Sequence, residues 1–245
     1  MASIYDDVSI SDNPLETLKR CKGHYVCPKD NSGKRLGPLV GLAGTYTVGG
    51  EKKHFVSDEY FNFAMTETYP HVCDDFARRL AVLIQAKGLE FDCVLGAPMG
   101  GIWIAGDLAR VMGKRRIFAE KRSAGLANAS KRGESRLVLD RHNIKRGDRI
   151  LICEDVCNNF STSEKLIGLV IQQNAKVVGI VCEMNRSSFR RYSSAGGILP
   201  LISLIEMPIK QYKQEDPKVA HDVAIRNVIW SPKDEWNTEL LRYIP

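Results

Sequence analysis

The chain has 245 residues, of which 44% are hydrophobic and 26% charged, so we predict a folded protein with a sizeable core rather than general disorder. Its formal net charge of +6 suits an anionic ligand, but no basic run with interleaved aromatic residues appears, and we expect no nucleic-acid partner. No run of about 18 apolar residues and no signal-peptide pattern is present, so we predict no membrane span and a cytoplasmic location.

The cysteines favour the same location. Their number is odd, no close CxxC pair suggests a zinc site, and several lie within apolar runs, where a reduced cysteine acts as a small core residue. We therefore expect free thiols in a reducing compartment. The seven are Cys21, Cys27, Cys73, Cys93, Cys153, Cys157 and Cys182.

The N-terminal part of the chain is mixed in character. It contains turn-rich stretches such as KDNSGKRLGP and TVGGEKK. We interpret residues 1–65 as a small α+β extension. A helix is then predicted from residue 71 to Gly88, because apolar residues recur at helical spacing and a glycine follows them.

Beyond this helix, strands and helices alternate through to residue 205. Runs such as KVVGIVCEMN are almost continuously apolar, which is typical of strands covered on both faces. The rhythm predicts a doubly wound parallel sheet with helices on both faces over residues 66–207, with ligands at the carboxyl ends of the strands. The predicted strands are 91–98, 115–121, 149–155, 176–185 and 198–205, and the predicted helices are 100–113 and 162–174.

Two further segments stand outside this rhythm. Residues 122–136 are polar, contain glycines and lack periodicity, so we predict a mobile loop that carries Lys131, Arg132 and Arg136. Residues 208–245 are divided by prolines, and we predict a tail packed on the α/β core with a last helix at 234–244.

The most informative stretch is ILICEDVCNNFSTSEK, residues 150–165. Ser161 and Glu164 fit a capping box ahead of an apolar-periodic run, so we predict a helix that starts at about Ser161. The loop before it would place backbone N–H groups at the positive end of the helix dipole, which suits a phosphate. Glu154 and Asp155 end the preceding strand, and carboxylates accept hydrogen bonds from vicinal sugar hydroxyls. The residues predict a sugar-phosphate site; the alternative is an ordinary strand end.

This stretch resembles the phosphoribosyl pyrophosphate (PRPP) motif of the type I phosphoribosyltransferases. The acids and the terminal hydroxyl residues match, whereas two asparagines replace small or hydroxyl residues and Phe160 stands where that family usually has glycine. The resemblance implies PRPP binding through the ribose and 5′-phosphate. The implied residues are Glu154, Asp155, Asn158, Asn159, Phe160, Ser161 and Thr162.

Two other stretches extend the resemblance. GAPMGG is similar to the pyrophosphate loop of the family, in which small residues let backbone amides approach the ligand. FAEKR is similar to a basic segment ahead of the catalytic loop. The implied pyrophosphate-binding residues are Met99, Gly100, Gly101, Lys121 and Arg122. The alternative interpretation is that GAPMGG is an ordinary glycine turn and FAEKR is a solvated basic turn.

Within the family the likeness is greatest to the orotate phosphoribosyltransferases. Asn185–Arg186 matches an Asp-Arg pair whose arginine would read the carboxylate of orotate. KKHFVSDEYFNF resembles the N-terminal hood of those enzymes, and the implied base-binding residues are Lys53, Tyr60 and Phe61. The resemblance covers about residues 45–207 and implies transfer of phosphoribosyl from PRPP to orotate, giving orotidine 5′-monophosphate and pyrophosphate.

The resemblance also implies how the reaction proceeds. Asp155 and a basic residue of the 122–136 loop, Lys131 or Arg132, would be catalytic, and Mg²⁺ would bind PRPP with few direct protein ligands, none of which we assign. A homodimer is implied as well. The loop has no histidine, unlike that of orotate enzymes. Two alternatives stay open: a phosphoribosyltransferase for a purine or another base, and a non-catalytic PRPP- or nucleotide-sensing regulator of the same fold.

Overall fold

A computed structural model describes residues 8–123 and 135–245, which form two compact units. One unit is Tyr69–Met207. The other combines residues before 69 with Pro208–Pro245. Residues 208–245, for which we predict a tail packed on the α/β core, belong to the N-terminal unit, because one of their strands pairs there.

The N-terminal unit is a small α+β structure, as its mixed sequence predicted. Its first helix begins where the side chain of Asn13 accepts a hydrogen bond from the Leu15 N–H at 3.0 Å, with Pro14 in the first turn. Its long hairpin turns at Gly49 and Gly50, whose φ angles of +57° and +83° favour glycine. The elements are α1 (Pro14–Arg20), β1 (His24–Val26), β2 (Leu39–Val48), β3 (Glu51–Ser57), β4 (Glu59–Phe61) and α2 (Ala64–Glu67).

The α/β unit begins with the amphipathic helix predicted at 71–88, and its alternation of strands and helices follows. The predicted strand at 176–185 has the observed bounds, while the others differ from prediction by a few residues at their ends. The elements are α3 (Pro70–Ala86), β5 (Cys93–Gly96), α4 (Gly101–Met112), β6 (Arg115–Phe118), β7 (Glu120–Ser123), β8 (Ser135–Val138), β9 (Arg149–Cys157), α5 (Ser161–Gln172), β10 (Lys176–Asn185), β11 (Arg191–Ser194) and β12 (Gly197–Glu206).

The main sheet of this unit has the strand order β11-β12-β10-β9-β5-β6. All neighbouring strands are parallel except β11, which forms an antiparallel hairpin with β12. The chain moves through α4 from β5 to β6 and through α5 from β9 to β10, in opposite directions along the sheet. Because such crossovers are right-handed, the two helices cover opposite faces, and the predicted doubly wound fold is confirmed.

Two predictions around residue 120 were wrong. The strand predicted at 115–121 is interrupted at Ala119, so that β6 stays in the main sheet and β7 leaves it. The ends of the loop predicted at 122–136 are not loop: β7 pairs with β8 in an antiparallel ribbon, with Lys121 opposite Leu137. Alternating polar residues in such a short ribbon carry too weak a pattern to be predicted. Lys131 and Arg132 lie outside the described residues.

The C-terminal segment contributes α6 (Ala220–Ala224) and β13 (Val228–Ile229) to the N-terminal unit. β13 pairs parallel to β2, with Val228 opposite Leu39. The helix predicted at 234–244 is a π-helical turn at Trp236–Leu240 followed by a 3-10 turn at Leu241–Tyr243. Trp236 is buried in a cluster with Tyr25 and Leu240.

The cysteines and the helices bear on two further predictions, free thiols and no membrane span. All seven cysteines are free, and six of them are buried, which confirms the prediction of reduced core thiols. Among the described residues, no helix has the length and apolar character needed to cross a membrane.

An ion pair joins the starting ends of two central strands. The guanidinium and backbone N–H of Arg149 both donate to Asp92, with the Nη2–Oδ1 distance at 2.9 Å. These hydrogen bonds lower the pKa of Asp92 to about 2. The pair therefore contributes to stability at pH values above the ordinary aspartate pKa of about 3.9, and the contribution disappears as the pH falls toward 2.

We expect Arg149→Met to raise the pKa of Asp92 toward its ordinary value, because both the charge and the side-chain donors are removed. The side-chain carboxyl carbon of Asp92, followed by NMR as the pH is lowered, measures this change. Arg146→Met removes an exposed arginine of the preceding turn and serves as the control. An Asp92 pKa that stays near 2 in Arg149→Met would contradict the assignment.

Candidate active site

The candidate site lies where the direction of the chain along the sheet reverses. β5 and β9 are adjacent, with Gly96 opposite Cys153, and the chain leaves them toward opposite faces. The crevice between two such strands is where ligands bind in open α/β sheets. The Ala97 N–H donates to the carbonyl of Cys153 at 2.9 Å, so the loop after β5 starts beside β9, which continues to Cys157.

The glycines of the loop after β5 lie directly against β9. A Cβ atom on Gly100 would stand 2.1 Å from Oδ2 of Asp155, and one on Gly101 would stand 2.4 Å from the carbonyl oxygen of Cys153. A side chain at position 101 would collide with the β9 backbone, and one at position 100 would displace the Asp155 carboxylate, so glycine keeps both contacts in place. The predicted pyrophosphate loop and the predicted acidic motif are thus brought into one site. The peptide bond between Pro98 and Met99 in this loop is cis.

The two carboxylates of the motif have different surroundings. Glu154 is 7% exposed, and its Oε1 accepts a hydrogen bond from the hydroxyl of Ser163 at 2.9 Å. Asp155 is half-buried, and its carboxylate forms no hydrogen bond or ion pair with residues 8–123 and 135–245. Glu154 is therefore oriented by the protein, whereas the carboxylate of Asp155 is available to a ligand. Ser163 was missed in the sequence because its partner comes from another element.

The loop between β9 and α5 supports part of the capping prediction. The helix begins at Ser161, as predicted, but the capping box is wrong. Phe160 occupies the N-cap position without a side-chain cap, and the carboxylate of Glu164 accepts a hydrogen bond from the Tyr192 hydroxyl at 2.9 Å. The side chain of Asn159 instead accepts from the Ser161 N–H at 3.2 Å. The sequence fits the capping-box pattern, but the carboxylate of Glu164 is hydrogen-bonded to Tyr192, which is distant in the chain.

Phe160 adopts a left-handed backbone conformation, which favours glycine. Its φ is +57°, its ring is 5% exposed, and the ring stacks on Tyr192 with centroids 4.5 Å apart. The left-handed conformation costs a residue with a side chain about 1–2 kcal/mol. Burial of a phenylalanine side chain contributes about 1.5–3 kcal/mol, and an aromatic pair adds about 0.5–1.5 kcal/mol. Burial therefore offsets the backbone cost, and the ring points into the core.

Burial and the hydrogen bond to Glu164 raise the pKa of the Tyr192 phenol. The hydroxyl thus stays protonated and donates to the carboxylate across the neutral pH range. Tyr192 lies on β11, a short polar strand without a clear periodicity in sequence. For this reason, the sequence predicted neither the strand nor the role of Tyr192.

The cysteines next to the motif are not nucleophiles. A hydrogen bond with Cys182, together with burial, holds the pKa of the Cys157 thiol well above its ordinary value. Burial does the same for the pKa of the Cys153 thiol. Both remain protonated near neutral pH, and a thiol reacts as its thiolate. Chemistry at this site therefore depends on binding and charge rather than on a covalent cysteine intermediate.

The predicted basic residues are placed on the ribbon. Lys121 is exposed on β7, and Arg122 forms an ion pair with Asp140. His142, the nearest histidine in sequence to the predicted catalytic loop, packs edge-on against Phe118 with ring centroids 4.5 Å apart. The pyrophosphate roles of Lys121 and Arg122 stay predictions.

The predicted base-reading pair ends β10. Asn185 lies opposite Cys157, so it reaches the same edge of the sheet as the phosphate loop. Its amide oxygen accepts hydrogen bonds from the N–H and hydroxyl of Ser187, and its amide nitrogen donates to the carbonyl of Phe189 at 2.8 Å. Asn185 thereby organises the turn that carries Arg186, which is 8% exposed.

The predicted hood residues belong to the N-terminal unit. Lys53 forms an ion pair with Glu215 at 2.6 Å. Tyr60 is half-buried near Trp236, and Phe61 is 4% exposed and stacks on His24 at 4.4 Å. These contacts favour a packing role for Phe61, and base binding by the three residues stays a prediction.

The comparisons with known proteins agree with this geometry. A family model described as the phosphoribosyl transferase domain matches residues 67–195. The chain is 30% identical over 171 residues to an orotate phosphoribosyltransferase of Caldanaerobacter subterraneus subsp. tengcongensis, which covers 67% of this chain and 82% of that protein. The chain therefore belongs to the phosphoribosyltransferase family, and it is a pentosyltransferase enzyme.

Two other comparisons are consistent with this membership. An orotate phosphoribosyltransferase of Thermoanaerobacter sp. (strain X514) is 29% identical, again over 67% of this chain and 82% of that protein. The crystal structure of an adenine phosphoribosyltransferase from Thermoanaerobacter pseudethanolicus aligns with a TM-score of 0.50 at 17% identity, over 79% of this chain and 99% of that one. At this identity the alignment supports the fold alone.

We expect Gly100→Ala to lower kcat/KM for phosphoribosyl transfer at least tenfold, because the added methyl group would displace Asp155 or the loop after β5. Steady-state kinetics with PRPP as the varied substrate measures this loss. Gly168→Ala is the matched control, since a Cβ there meets no atom within 4 Å and helix α5 gains a better helix former. Equal activity of the two variants would show that the Gly100 contact does not shape the site.

Proposed function

We propose that the chain transfers the 5-phosphoribosyl group from PRPP to orotate, in a Mg²⁺-dependent reaction that gives orotidine 5′-monophosphate and pyrophosphate. The observation that carries the proposal is the contact of Gly100 and Gly101 with the Asp155 motif, which supports a single site for both ends of PRPP. The names of the relatives and the presence of Arg186 favour orotate, and with it a role in pyrimidine biosynthesis.

The ribose and its 5′-phosphate are assigned to the β9–α5 segment. Asp155 accepts hydrogen bonds from the ribose hydroxyls, and Glu154, oriented by Ser163, supports the same diol. Backbone N–H groups at the start of α5 bind the phosphate, aided by the helix dipole. The hydroxyls of Ser161 and Thr162 add donors at the same helix end.

The pyrophosphate is assigned to the loop after β5. With no side chains at Gly100 and Gly101, the backbone amides of this loop approach the leaving group closely. Lys121 supplies positive charge from the ribbon, and a basic side chain of residues 124–134, Lys131 or Arg132, completes the neutralisation. Neutralising the leaving group where its charge develops is the largest contribution we assign to catalysis.

The residues present fit a Mg²⁺ ion held mainly by substrate. Within the described residues no cluster of three or more His, Cys, Asp or Glu side chains could hold a metal by itself. Asp155 nevertheless presents a carboxylate next to the pyrophosphate loop, and Mg²⁺ commonly binds through one or two carboxylates together with substrate phosphates. When bound, the ion would neutralise charge on the pyrophosphate.

Arg186 is assigned to the base. A guanidinium matches the planar carboxylate of orotate with paired hydrogen bonds, and the low exposure of Arg186 strengthens such a contact. Asn185 takes the place of an acidic residue and is fully used in the turn, which favours a base other than orotate as the second candidate acceptor.

We further propose that the protein forms a homodimer. Met99 in the loop after β5 and Trp103 in the first turn of α4 are 74% and 64% exposed, which is unusual for large apolar side chains and suits a second copy of the chain. Sedimentation of the purified protein tests this proposal, and a monomer at micromolar concentration would refute it.

The defining experiment is an assay of the purified protein with PRPP, Mg²⁺ and orotate, with adenine, hypoxanthine, xanthine and uracil in parallel. We expect turnover with orotate and its loss when EDTA removes Mg²⁺. Turnover with one of the other bases only would show that this base, and not orotate, is the acceptor. Turnover with no base would overturn the proposed function.

We expect Arg186→Ala to raise KM for orotate about 10- to 100-fold while KM for PRPP changes less than about twofold, because a charge-assisted pair to the base is lost. Arg190→Ala is the matched control, since Arg190 is a neighbouring arginine paired with Glu206 and highly exposed. Equal increases in both KM values for Arg186→Ala would remove Arg186 from the base site.

A further inference from the structure

An aromatic stack lies immediately behind the loop assigned to the 5′-phosphate. The Phe160 and Tyr192 rings are 4.5 Å apart and nearly parallel, at 25°. The hydroxyl of Tyr192 donates to Glu164 in the first turn of α5 at 2.9 Å. One side chain on β11 therefore contacts both the last loop residue and the first turn of the helix.

The position of Phe160 makes this stack relevant to binding. Phe160 is the residue before Ser161, where the helix and its unpaired N–H groups begin. Its carbonyl accepts the hydrogen bond from the Glu164 N–H at 2.8 Å, which closes the first helical turn. The backbone there cannot rotate away from φ +57° without withdrawing a ring that is 5% exposed.

A glycine at this point would have no such restraint. Glycine visits many backbone conformations in the free protein and must be ordered when a ligand binds. A loop that is already held in its binding shape avoids that loss of entropy. The replacement of glycine by Phe160 thus changes how the loop is ordered, while its backbone keeps the conformation that glycine permits.

We propose that Phe160 and Tyr192 are positioning residues that hold the loop of residues 157–161 in its phosphate-binding shape before PRPP arrives. This inference rests on the proposed function, because it assigns the loop to the 5′-phosphate. Neither side chain touches the ligand. Both act through the backbone that leads into Ser161 and Thr162.

The proposal predicts a selective effect on the phosphoribosyl donor. Loosening the loop weakens PRPP and the nucleotide product, since both carry the 5′-phosphate. It leaves KM for the base and the affinity for free pyrophosphate nearly unchanged, because those ligands do not use this loop. If the stack had only a structural role, disrupting it would lower thermal stability without weakening PRPP and the nucleotide more than the base and pyrophosphate.

The test compares Phe160→Gly, Tyr192→Leu and Tyr192→Phe in the full-length protein. Calorimetric titration with PRPP, the nucleotide product and pyrophosphate gives the dissociation constants, and hydrogen exchange follows the amides of residues 158–162. The control is Val170→Ala, a fully buried position later in α5 that destabilises the core without touching the loop.

We expect Phe160→Gly and Tyr192→Leu to raise the Kd for PRPP and the nucleotide about five- to tenfold, with pyrophosphate within twofold and faster exchange of the loop amides. Tyr192→Phe, which keeps the stack, should restore most of the affinity. Val170→Ala should lower the melting temperature while its Kd values match those of the unmodified protein.

The possible failures are separable. If the unmodified protein does not bind PRPP, the proposed function fails. If it binds PRPP and Phe160→Gly binds equally well or better, the positioning role is overturned. If all ligands weaken in parallel, or Val170→Ala weakens PRPP equally, the stack supports the fold and not the phosphate loop.

Discussion

The site depends on the close approach of two backbones. Gly100 and Gly101 lie so near to Asp155 and Cys153 that no side chain fits between them. The contact fixes the loop after β5 against the last part of β9, and the register of Gly96 with Cys153 sets where that loop begins. A donor with a phosphate at each end needs two anion-binding loops at a fixed separation. In the function proposed here, the pairing of β5 with β9 would set that separation.

In the loop before α5, Phe160 adopts a left-handed backbone conformation that usually favours glycine. Glycine relieves backbone strain by having no Cβ, but it leaves the segment mobile. Phe160 accepts the strained conformation and compensates by burying its ring against Tyr192. Burial of the ring offsets the backbone cost, and stacking on the Tyr192 ring of β11 adds to this compensation. The motif is therefore defined by backbone shape rather than by residue type.

Most of the α/β fold could be predicted because its strands are covered on both faces. The apolar run of β10 predicted its bounds, and the acids of β9 and the glycines after β5, both singled out in the sequence, lie in contact. Prediction failed where the signal was short or distant. β13 has two residues, β7 and β8 are polar, and Glu164 fits a capping box but binds Tyr192 instead. Ser163 and Tyr192 were missed because their partners lie on other elements, and local patterns contain no information on such pairs.

The pairing of β13 with β2 has a consequence for the order in which the chain is made. Val228 lies beside Leu39, although almost the whole α/β unit is encoded between them. During synthesis the domain that binds PRPP leaves the ribosome entire, while the N-terminal segment still lacks its third strand and the Trp236 cluster. Domains tend to fold as units as they emerge. The N-terminal unit thus closes after the α/β unit has been made, because one edge of β2 stays unpaired until residues 228–229 have been synthesised.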